Sequence, residues 1–365
     1  MVGHRSPRSL AGMNIPIGYT MVQVDPDTAS DAELEQGARL QQIIANERVP
    51  EDPLTPIEVY MQRARAKTPN QWRAYFSARD STGAHVGYAF VGRNLNEPEN
   101  AHVRWCEVGV HPDHRRRGLG RALLRAVVQA CEGTGDDLLF ISQTNSRVAA
   151  ADAFSKAIGA SAALPMKMNQ LTLADVDRAS VAEWAKIDPQ GYRLERADDV
   201  VPQALLQPYL GAVNAMNDMP KGELRVSDQR FTAEQIHDRE SWLKQAGMRW
   251  WAIVAIDEAT GQGAGFTEVQ YDPRVPHVIW QGGTGVVAAH RGHKLGLWMK
   301  AVMLERILRE RPTAKYVRTG NANVNEQMLA INTQLGFVHA WSQTLWQLPL
   351  AEARTSLALR ETARA

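Results

Sequence analysis

Residues 106–121 read Cys106-Glu107-Val108-Gly109-Val110-His111-Pro112-Asp113-His114-Arg115-Arg116-Arg117-Gly118-Leu119-Gly120-Arg121. Apolar residues alternate with other residues up to Val110, which predicts a strand, and Pro112 cannot continue a ladder because it has no N–H. From Leu119 onward apolar residues recur at helical spacing, so Gly118 and Gly120 fall in the first turn of a predicted helix. Glycines let a ligand approach the main chain closely, and the free N–H groups at a helix start attract anions. The stretch therefore predicts a strand, a turn suited to a pyrophosphate, and a helix.

The spacing Arg115-x-x-Gly118-x-Gly120 behind a strand end resembles the acyl-CoA-binding motif of the GNAT superfamily of N-acyltransferases. It differs from the dinucleotide fingerprint Gly-x-Gly-x-x-Gly, and it lacks the Gly-Lys-Ser/Thr of a P-loop. The alternative is an arginine-rich surface turn that caps an ordinary helix. The resemblance implies acetyl-CoA as co-substrate without a metal, and it implies that the pyrophosphate is bound by Arg115, Arg116, Arg117, Gly118, Leu119, Gly120 and Arg121.

The composition of the 365-residue chain is that of a globular protein with two domains of ordinary size. Its formal net charge is +1, and no run of about 18 apolar residues is present to span a bilayer. We therefore expect neither nucleic acid nor a membrane as a partner.

The cysteine and histidine patterns argue against structural metals and disulfides. Cys106 and Cys131 are the only cysteines in the sequence, and no Cys-x-x-Cys or His-Glu-x-x-His pattern occurs. Residues 1–16 lack the apolar core of a signal peptide, so we expect them to form a loose N-terminus. These features predict a protein of the reducing cytoplasm.

The motif recurs 176 positions later as His290-Arg291-Gly292-His293-Lys294-Leu295-Gly296. Other pairs keep the same order, including Gly18-Tyr19 with Gly191-Tyr192 and Ile158-Gly159 with Leu335-Gly336. A period this long indicates a duplicated domain, because solenoid repeats span about 20 to 50 residues. We predict two GNAT domains, residues 17–170 and 191–350, with a linker at 171–190 that forms an amphipathic helix over 171–187. Residues 351–365 are predicted to be a C-terminal tail.

The fold class predicted for both copies is α/β, with a mixed, mostly antiparallel central sheet flanked by helices. In the GNAT family the motif strand separates from its neighbour, and its main-chain groups bind the pantetheine and hold the carbonyl oxygen that becomes negative. The resemblance therefore implies cofactor roles for Val108 and Val110 in the first copy. In the second copy it implies such roles for Thr284, Val286, Arg291, Gly292, His293, Lys294, Leu295, Gly296 and Asn325.

Lys294 stands where the family has a glycine, and two interpretations are open. Its side chain either lies across the turn and blocks the pyrophosphate, or it binds the phosphates as a point charge. We expect retained binding, because Arg291 and Gly296 keep their register.

The general acid of many family members is a tyrosine in the helix that closes the site. Ser155 stands at that position in the first copy and Asn332 in the second. An amide has no proton to give at neutral pH, whereas a tyrosine hydroxyl can return one to a thiolate. Asn332 remains a candidate catalytic residue by position, although neither copy has the usual acid.

An amine must lose a proton to attack a thioester, so carboxylates on the central strands are candidate bases. Glu107 lies on the motif strand and Glu268 on a hairpin strand of the second copy. The alternative for each is a strand residue that faces solvent. His111 and His114 are interpreted as turn residues or phosphate neighbours.

The function predicted from these residues is transfer of an acetyl or other acyl group from acyl-CoA to an amine of a small molecule. We expect the protein to act as a monomer or homodimer. Two alternatives stay open: a non-catalytic acyl-CoA-binding or scaffold protein, and a protein N-terminal or lysine acetyltransferase.

Overall fold

The computed structural model describes residues 14–135 and 137–358. The strands are β1 (Tyr19–Val24), β2 (Gln71–Asp80), β3 (His85–Asn94), β4 (Val103–Val110), β5 (Leu139–Asn145), β6 (Ser161–Thr172), β7 (Tyr192–Asp198), β8 (Arg249–Asp257), β9 (Gly263–Tyr271), β10 (Val278–Val286), β11 (Tyr316–Ala322) and β12 (Val338–Pro349). The helices are α1 (Asp31–Arg48), α2 (Ile57–Arg65), α3 (Leu119–Ala130), α4 (Ala149–Ala157), α5 (Arg178–Ala185), α6 (Gln203–Val213), α7 (Ala233–Ala246), α8 (Leu295–Glu310), α9 (Glu326–Gln334) and α10 (Leu350–Ala358).

All the strands belong to one sheet, in the order β1-β2-β3-β4-β5-β12-β6-β11-β10-β9-β8-β7. The pairs β4–β5 and β10–β11 are parallel, and the other pairs are antiparallel. This confirms the predicted α/β class and the two-copy organisation. Helices α3 and α8 pack on one face of the sheet, and α1, α6 and α7 pack on the other.

The two copies exchange their last strands. Strand β6 ends the first copy but pairs with β11 of the second, and β12 ends the second copy but pairs with β5 of the first. The exchanged strands also pair with each other. Each copy therefore completes the sheet of the other, a feature that the internal repeat did not indicate.

The predicted linker helix over 171–187 is wrong in its first part. Leu171 and Leu173 are both buried, a period of two that suits a strand, and β6 continues to Thr172. Helix α5 begins only after Asp177, whose carboxylate accepts the N–H groups of Ala179 and Ser180 at 3.1 Å.

The predicted C-terminal tail is a helix in its described part. Leu350, Ala353 and Leu357 of α10 are buried in the hydrophobic core beside α3. The expectation of a loose segment at 1–16 falls outside the described residues, apart from residues 14–16.

Loops cross between the copies on the face opposite α3. Asp52, in the loop after α1, forms a bidentate ion pair with Arg318 of β11, whose side chain is fully buried. In the other direction, the segment before α7 packs on the first copy, where Leu224 and Val226 contact the apolar residues of β4 and β5. The two copies are thus joined by apolar contacts, by exchanged strands and by a buried ion pair.

We expect that neither half folds alone, because a fragment ending at residue 187 would leave β5 and β6 without their partners β12 and β11. Circular dichroism should show no cooperative melting for residues 1–187 or 188–365 separately, and co-expression should restore it. A half that melts cooperatively near the unfolding temperature of the full chain would contradict the strand exchange.

Candidate functional site

The candidate site of the first copy opens where two parallel strands separate. Strands β4 and β5 pair only over Val103–Trp105 and Leu139–Ile141, and then diverge. A cavity of about 720 Å³ lies at this opening. It is lined by the end of β4, the turn before α3, the end of β5, and α4. The sequence predicted Val108 and Val110 to line such a groove, and both lie on the cavity wall.

The turn before α3 presents free main-chain N–H groups to this cavity. Arg116 and Gly118 have φ of 63° and 88°, so the chain turns through two left-handed residues before the helix. In the described part of the chain, the N–H groups of residues 116–120 have no hydrogen-bond acceptor. Unpaired donors at the positive end of a helix are what a pyrophosphate requires. The residues present therefore fit the phosphates of an acyl-CoA.

Gly120 has a packing role. A Cβ at Gly120 would lie 3.0 Å from the ring of Phe154, so this glycine is needed where α3 meets α4. At Gly118 the left-handed backbone is the constraint, since a side chain is strained there.

The side chain of Arg115 stabilises the turn through contacts within the protein. It is therefore less available to bind a phosphate than its sequence position suggested. Its Nε donates to the carbonyl of Val110 at 3.1 Å, and its guanidinium forms a bidentate pair with Glu47 of α1. Arg117 donates to the hydroxyl of Tyr19. The exposed Arg116 and the cavity-lining Arg121 and Arg125 supply positive charge to this site.

The second copy repeats the turn closely. Gly292 and Lys294 have φ of 87° and 60°, so Lys294 adopts the left-handed conformation of Gly118. Arg291 braces the turn through the carbonyl of Val286 and through Asp218, as Arg115 does through Val110 and Glu47. The N–H groups of residues 292–296 have no acceptor in the described chain.

The groove of the second copy also keeps its opening, because β10 pairs with β11 only over Val278–Trp280. Thr284 and Val286 lie beyond this pairing. This shape supports the interpretation that Lys294 does not abolish phosphate binding, which stays a prediction.

Glu107 faces away from the cavity-lining valines of β4. Its Oε1 accepts the hydroxyl of Tyr88 at 2.7 Å and Nη2 of Arg48 at 2.9 Å. Burial, followed by the charge of Glu107, raises the pKa of Tyr88, so this hydroxyl stays protonated as a donor. The Glu107 side chain is 44% exposed.

The buried carboxylate of Glu268 accepts hydrogen bonds from three donors. Its Oε2 accepts the hydroxyl of Tyr209 and the indole N–H of Trp250, both at 2.9 Å, and Nη1 of Arg239 at 3.1 Å. Burial alone would lower the pKa of Arg239, but Glu268 and Tyr209 outweigh it and raise the pKa. In the described residues, Oε1 accepts no hydrogen bond, and it points toward Gly282 of β10.

Asn332 and Ser155 are both buried. The Asn332 amide donates to Oδ1 of Asn321 at 2.8 Å, while its own Oδ1 has no partner in the described chain. Asn325 accepts the N–H of Met328 and caps α9, which is a structural task.

Sequence reasoning missed the partners of both carboxylates. Three of these partners, Arg48, Tyr209 and Arg239, come from helices 29 to 59 residues away in the chain, so no spacing pattern relates them to a glutamate. Tyr88 comes from the neighbouring strand β3. The buried Trp250 of β8 also donates its indole N–H to Glu268, which its place on a hairpin strand did not indicate. Leu357 of α10 was missed as part of the cavity wall for the same reason.

Two features are absent from the described residues. No group of three or more His, Cys, Asp or Glu residues there could hold a metal ion. No helix in that part of the chain is both long and apolar enough to cross a membrane.

Residues 39–160, which include β4, the turn and α3, match the acetyltransferase (GNAT) family. The first copy is a GNAT domain. A tandem GNAT protein from the clavulanic acid biosynthesis pathway has a TM-score of 0.73 and 24% identity, with 91% of this chain and 98% of that chain covered. A GCN5-related N-acetyltransferase from Sphaerobacter thermophilus has a TM-score of 0.65 and 15% identity, with 92% and 97% covered. These likenesses show that the chain has the tandem GNAT fold.

The tandem arrangement of the two motifs also resembles the architecture of mycothiol synthase. A segment of 45 residues is 53% identical to the mycothiol acetyltransferase of Nocardiopsis dassonvillei. This segment spans 12% of this chain and 12% of that relative.

Proposed function

We propose that the protein transfers an acyl group, acetyl in the simplest case, from acyl-CoA to an amine of a small molecule. The observation that carries this proposal is the cavity between the diverging strands β4 and β5, which ends at a turn where the N–H groups of residues 116–120 have no acceptor among the described residues. In the first copy, residues 116–120 would hold the pyrophosphate and the separated edge of β4 the pantetheine. The acyl-CoA would supply the activated carbonyl carbon.

The acceptor nitrogen loses two protons during the reaction. The acceptor reaches neutral pH as an ammonium ion, so one proton must leave before the nitrogen attacks, and Glu107 or Glu268 would accept it, directly or through water. The new C–N bond replaces the C–S bond. A second proton leaves the nitrogen, and the departing thiolate takes one proton, so the overall reaction releases one proton to solvent.

The alternative of a non-catalytic acyl-CoA-binding protein is supported by one observation. Ser155 and Asn332 occupy the position of the usual acid, and both are buried. In the transferase, water would therefore have to protonate the thiolate. The second alternative is an acceptor amine at a protein N-terminus or on a lysine.

Two measurements on the same preparation test the proposal. Acetyl-CoA at 100 times its dissociation constant should add about 2.7 kcal/mol to the free energy of unfolding, which a thermal-shift assay detects. Thiol release from acetyl-CoA should then accelerate with some members of a panel of primary amines. Binding without amine-dependent thiol release would favour the scaffold alternative, and the absence of binding would overturn both.

A further inference from the structure

The cavity of the first copy continues beyond the turn that fits a pyrophosphate. Its lining follows α4 from Ala150, near the start of the helix, to Ala157 at the end, a rise of about 10 Å. Gly120 of the turn lies beside Phe154, between these two alanines, because a Cβ on Gly120 would be 3.0 Å from the Phe154 ring. The turn therefore lies part-way along the cavity. The part beyond it, lined by Phe154, Ala157 and Leu357, is the outer end of the cavity.

The second copy supplies one wall of the outer end through its C-terminal helix. Leu357, near the end of α10, lines the cavity and packs in the core beside α3. Arg121 of α3 holds this helix in place. Its Nη1 donates to the carbonyl of Ser356 at 3.0 Å, and its Nη2 donates to the carbonyl of Ala157 at 2.7 Å. One guanidinium group therefore joins the end of α10 to the end of α4.

The segment before β1 lies along the same cavity. Pro16 is beside the turn, since a Cβ on Gly118 would be 3.3 Å from its Cγ. Arg125, one helical turn after Arg121, donates from Nη1 to the carbonyl of Asn14 at 3.3 Å. Both Asn14 and Pro16 line the cavity. The segments before β1 and after β12 thus complete a cavity that the motif of the first copy begins.

The covalent structure of CoA decides which part of the molecule reaches the outer end. A diphosphate joins the pantetheine to the adenosine. With the diphosphate on residues 116–120 and the pantetheine between β4 and β5, the adenosine continues from the turn into the rest of the cavity. The lining there is apolar at Phe154, Ala157 and Leu357. A nucleobase stacks favourably on aromatic side chains, so the outer end fits an adenine ring.

We propose that the outer end binds the adenosine of the donor, so that the first copy selects free acyl-CoA over an acyl group carried on phosphopantetheine alone. The adenine ring would lie against Phe154 and Leu357. The second copy would thereby contribute, through α10, to donor recognition by the first. This assignment rests on the proposed function, because it specifies the donor of that reaction.

Calorimetric titration of the full chain with CoA, dephospho-CoA and 4′-phosphopantetheine tests the assignment, because none of the three carries an acyl group to transfer. The site of the first copy is the one that Gly118→Glu removes. We expect CoA to bind this site about tenfold or more tightly than phosphopantetheine, as base stacking predicts. Dephospho-CoA should keep most of this preference. Equal binding of CoA and phosphopantetheine, or loss of the whole preference in dephospho-CoA, would overturn the proposal.

A pair of variants on α4 locates the adenosine. Ala157 is exposed and lines the outer end, so Ala157→Glu should weaken CoA binding about tenfold and change phosphopantetheine binding little. Ala149→Glu is the matched control, because Ala149 is exposed on the same helix and is not among the described residues that line the cavity. It should leave the preference for CoA unchanged. An equal change in both variants, or none in Ala157→Glu, would overturn the proposal.

Two leucines of α10 test the contribution of the second copy. Leu357→Ala should lower the preference for CoA over phosphopantetheine. Leu350→Ala removes the same atoms from the same helix and core, but Leu350 is not among the described residues that line the cavity. Both variants lose stability, so binding is compared at a temperature where circular dichroism shows both folded. An unchanged preference in Leu357→Ala, or an equal loss in Leu350→Ala, would contradict a role of α10 in donor recognition.

The titrations also separate this inference from the proposed function. If the wild type binds CoA at a site that Gly118→Glu removes, but binds phosphopantetheine there equally well, only this inference fails. A chain that binds neither CoA nor phosphopantetheine fails the proposed function instead.

Discussion

Glu268→Gln should lower kcat for amine-dependent thiol release by roughly 100- to 10,000-fold, the usual cost of losing a general base. The substitution keeps the shape of the side chain and removes its basicity. Glu268 is the stronger of the two candidates because three donors fix its carboxylate in one orientation, while Oε1 accepts no hydrogen bond from the residues that the structure describes. Glu107 is more exposed and is tied to Arg48 and Tyr88 through a single oxygen.

Glu107→Gln is the matched variant in the first copy, where Glu107 was predicted to be the base. A large loss of kcat in Glu107→Gln alone would assign the chemistry to the first copy. Arg239 loses its buried partner in Glu268→Gln, which destabilises the fold. The rate must therefore be compared at a temperature where circular dichroism shows both variants folded. Near-normal turnover of folded Glu268→Gln would exclude Glu268 as the base.

Lys300→Met should raise the free energy of unfolding at pH 7 by up to about 4 kcal/mol. Lys300 lies on α8, 3% exposed, with its Nζ atom 5.3 Å from the centre of the Phe337 ring. Burial lowers the pKa of Lys300 from 10.5 to about 7. The unfolded chain therefore binds one more proton than the folded chain between these two values, and folding is opposed at neutral pH.

The sign of the pH dependence follows from the lowered pKa. The stability of the wild type should fall as pH decreases from 10.5 to about 7. Below pH 7, the titration of Lys300 should change the stability little. The advantage of Lys300→Met should accordingly vanish near pH 10.5. Lys315→Met, at an exposed lysine, is the control and should show no such trend. Equal stability of Lys300→Met and wild type at pH 7, measured by urea unfolding, would contradict the burial of a neutral lysine.

Local sequence signals were sufficient to predict the turn and the duplication. Pro112, the glycines and the helical spacing after Leu119 act within a few residues of one another, and the structure repeats their geometry in both copies. Family resemblance then placed the cavity at the end of β4.

The strand exchange could not be predicted from the sequence, because either last strand could pair with β5 or with β11 by pattern alone. Register between distant strands depends on packing that no periodicity encodes. The same limit applied to the linker, where the period of two at Leu171 and Leu173 is too short a signal by itself and the strand forms because β11 lies beside it.

The partners of the candidate bases are also set by tertiary structure. Glu268 was recognisable as a carboxylate on a hairpin strand, but Tyr209 and Arg239 reach it from two different helices. From the sequence, Lys294 could be recognised only as a departure from the family pattern. Its φ of 60° lies in the left-handed region, which explains how the turn keeps its shape.

Calorimetric titration with acetyl-CoA tests most directly whether the turns of both copies bind an acyl-CoA. We predict two molecules bound per chain in the wild type and one in Gly118→Glu, which places a negative charge and a strained side chain at the first turn. Gly133→Glu is the matched control, because Gly133 also has positive φ, at 71°, with open space around its Cβ position. This control should still bind two molecules. One molecule in the wild type and none in Gly118→Glu would show that Lys294 blocks the second copy, and no binding at all would contradict the account.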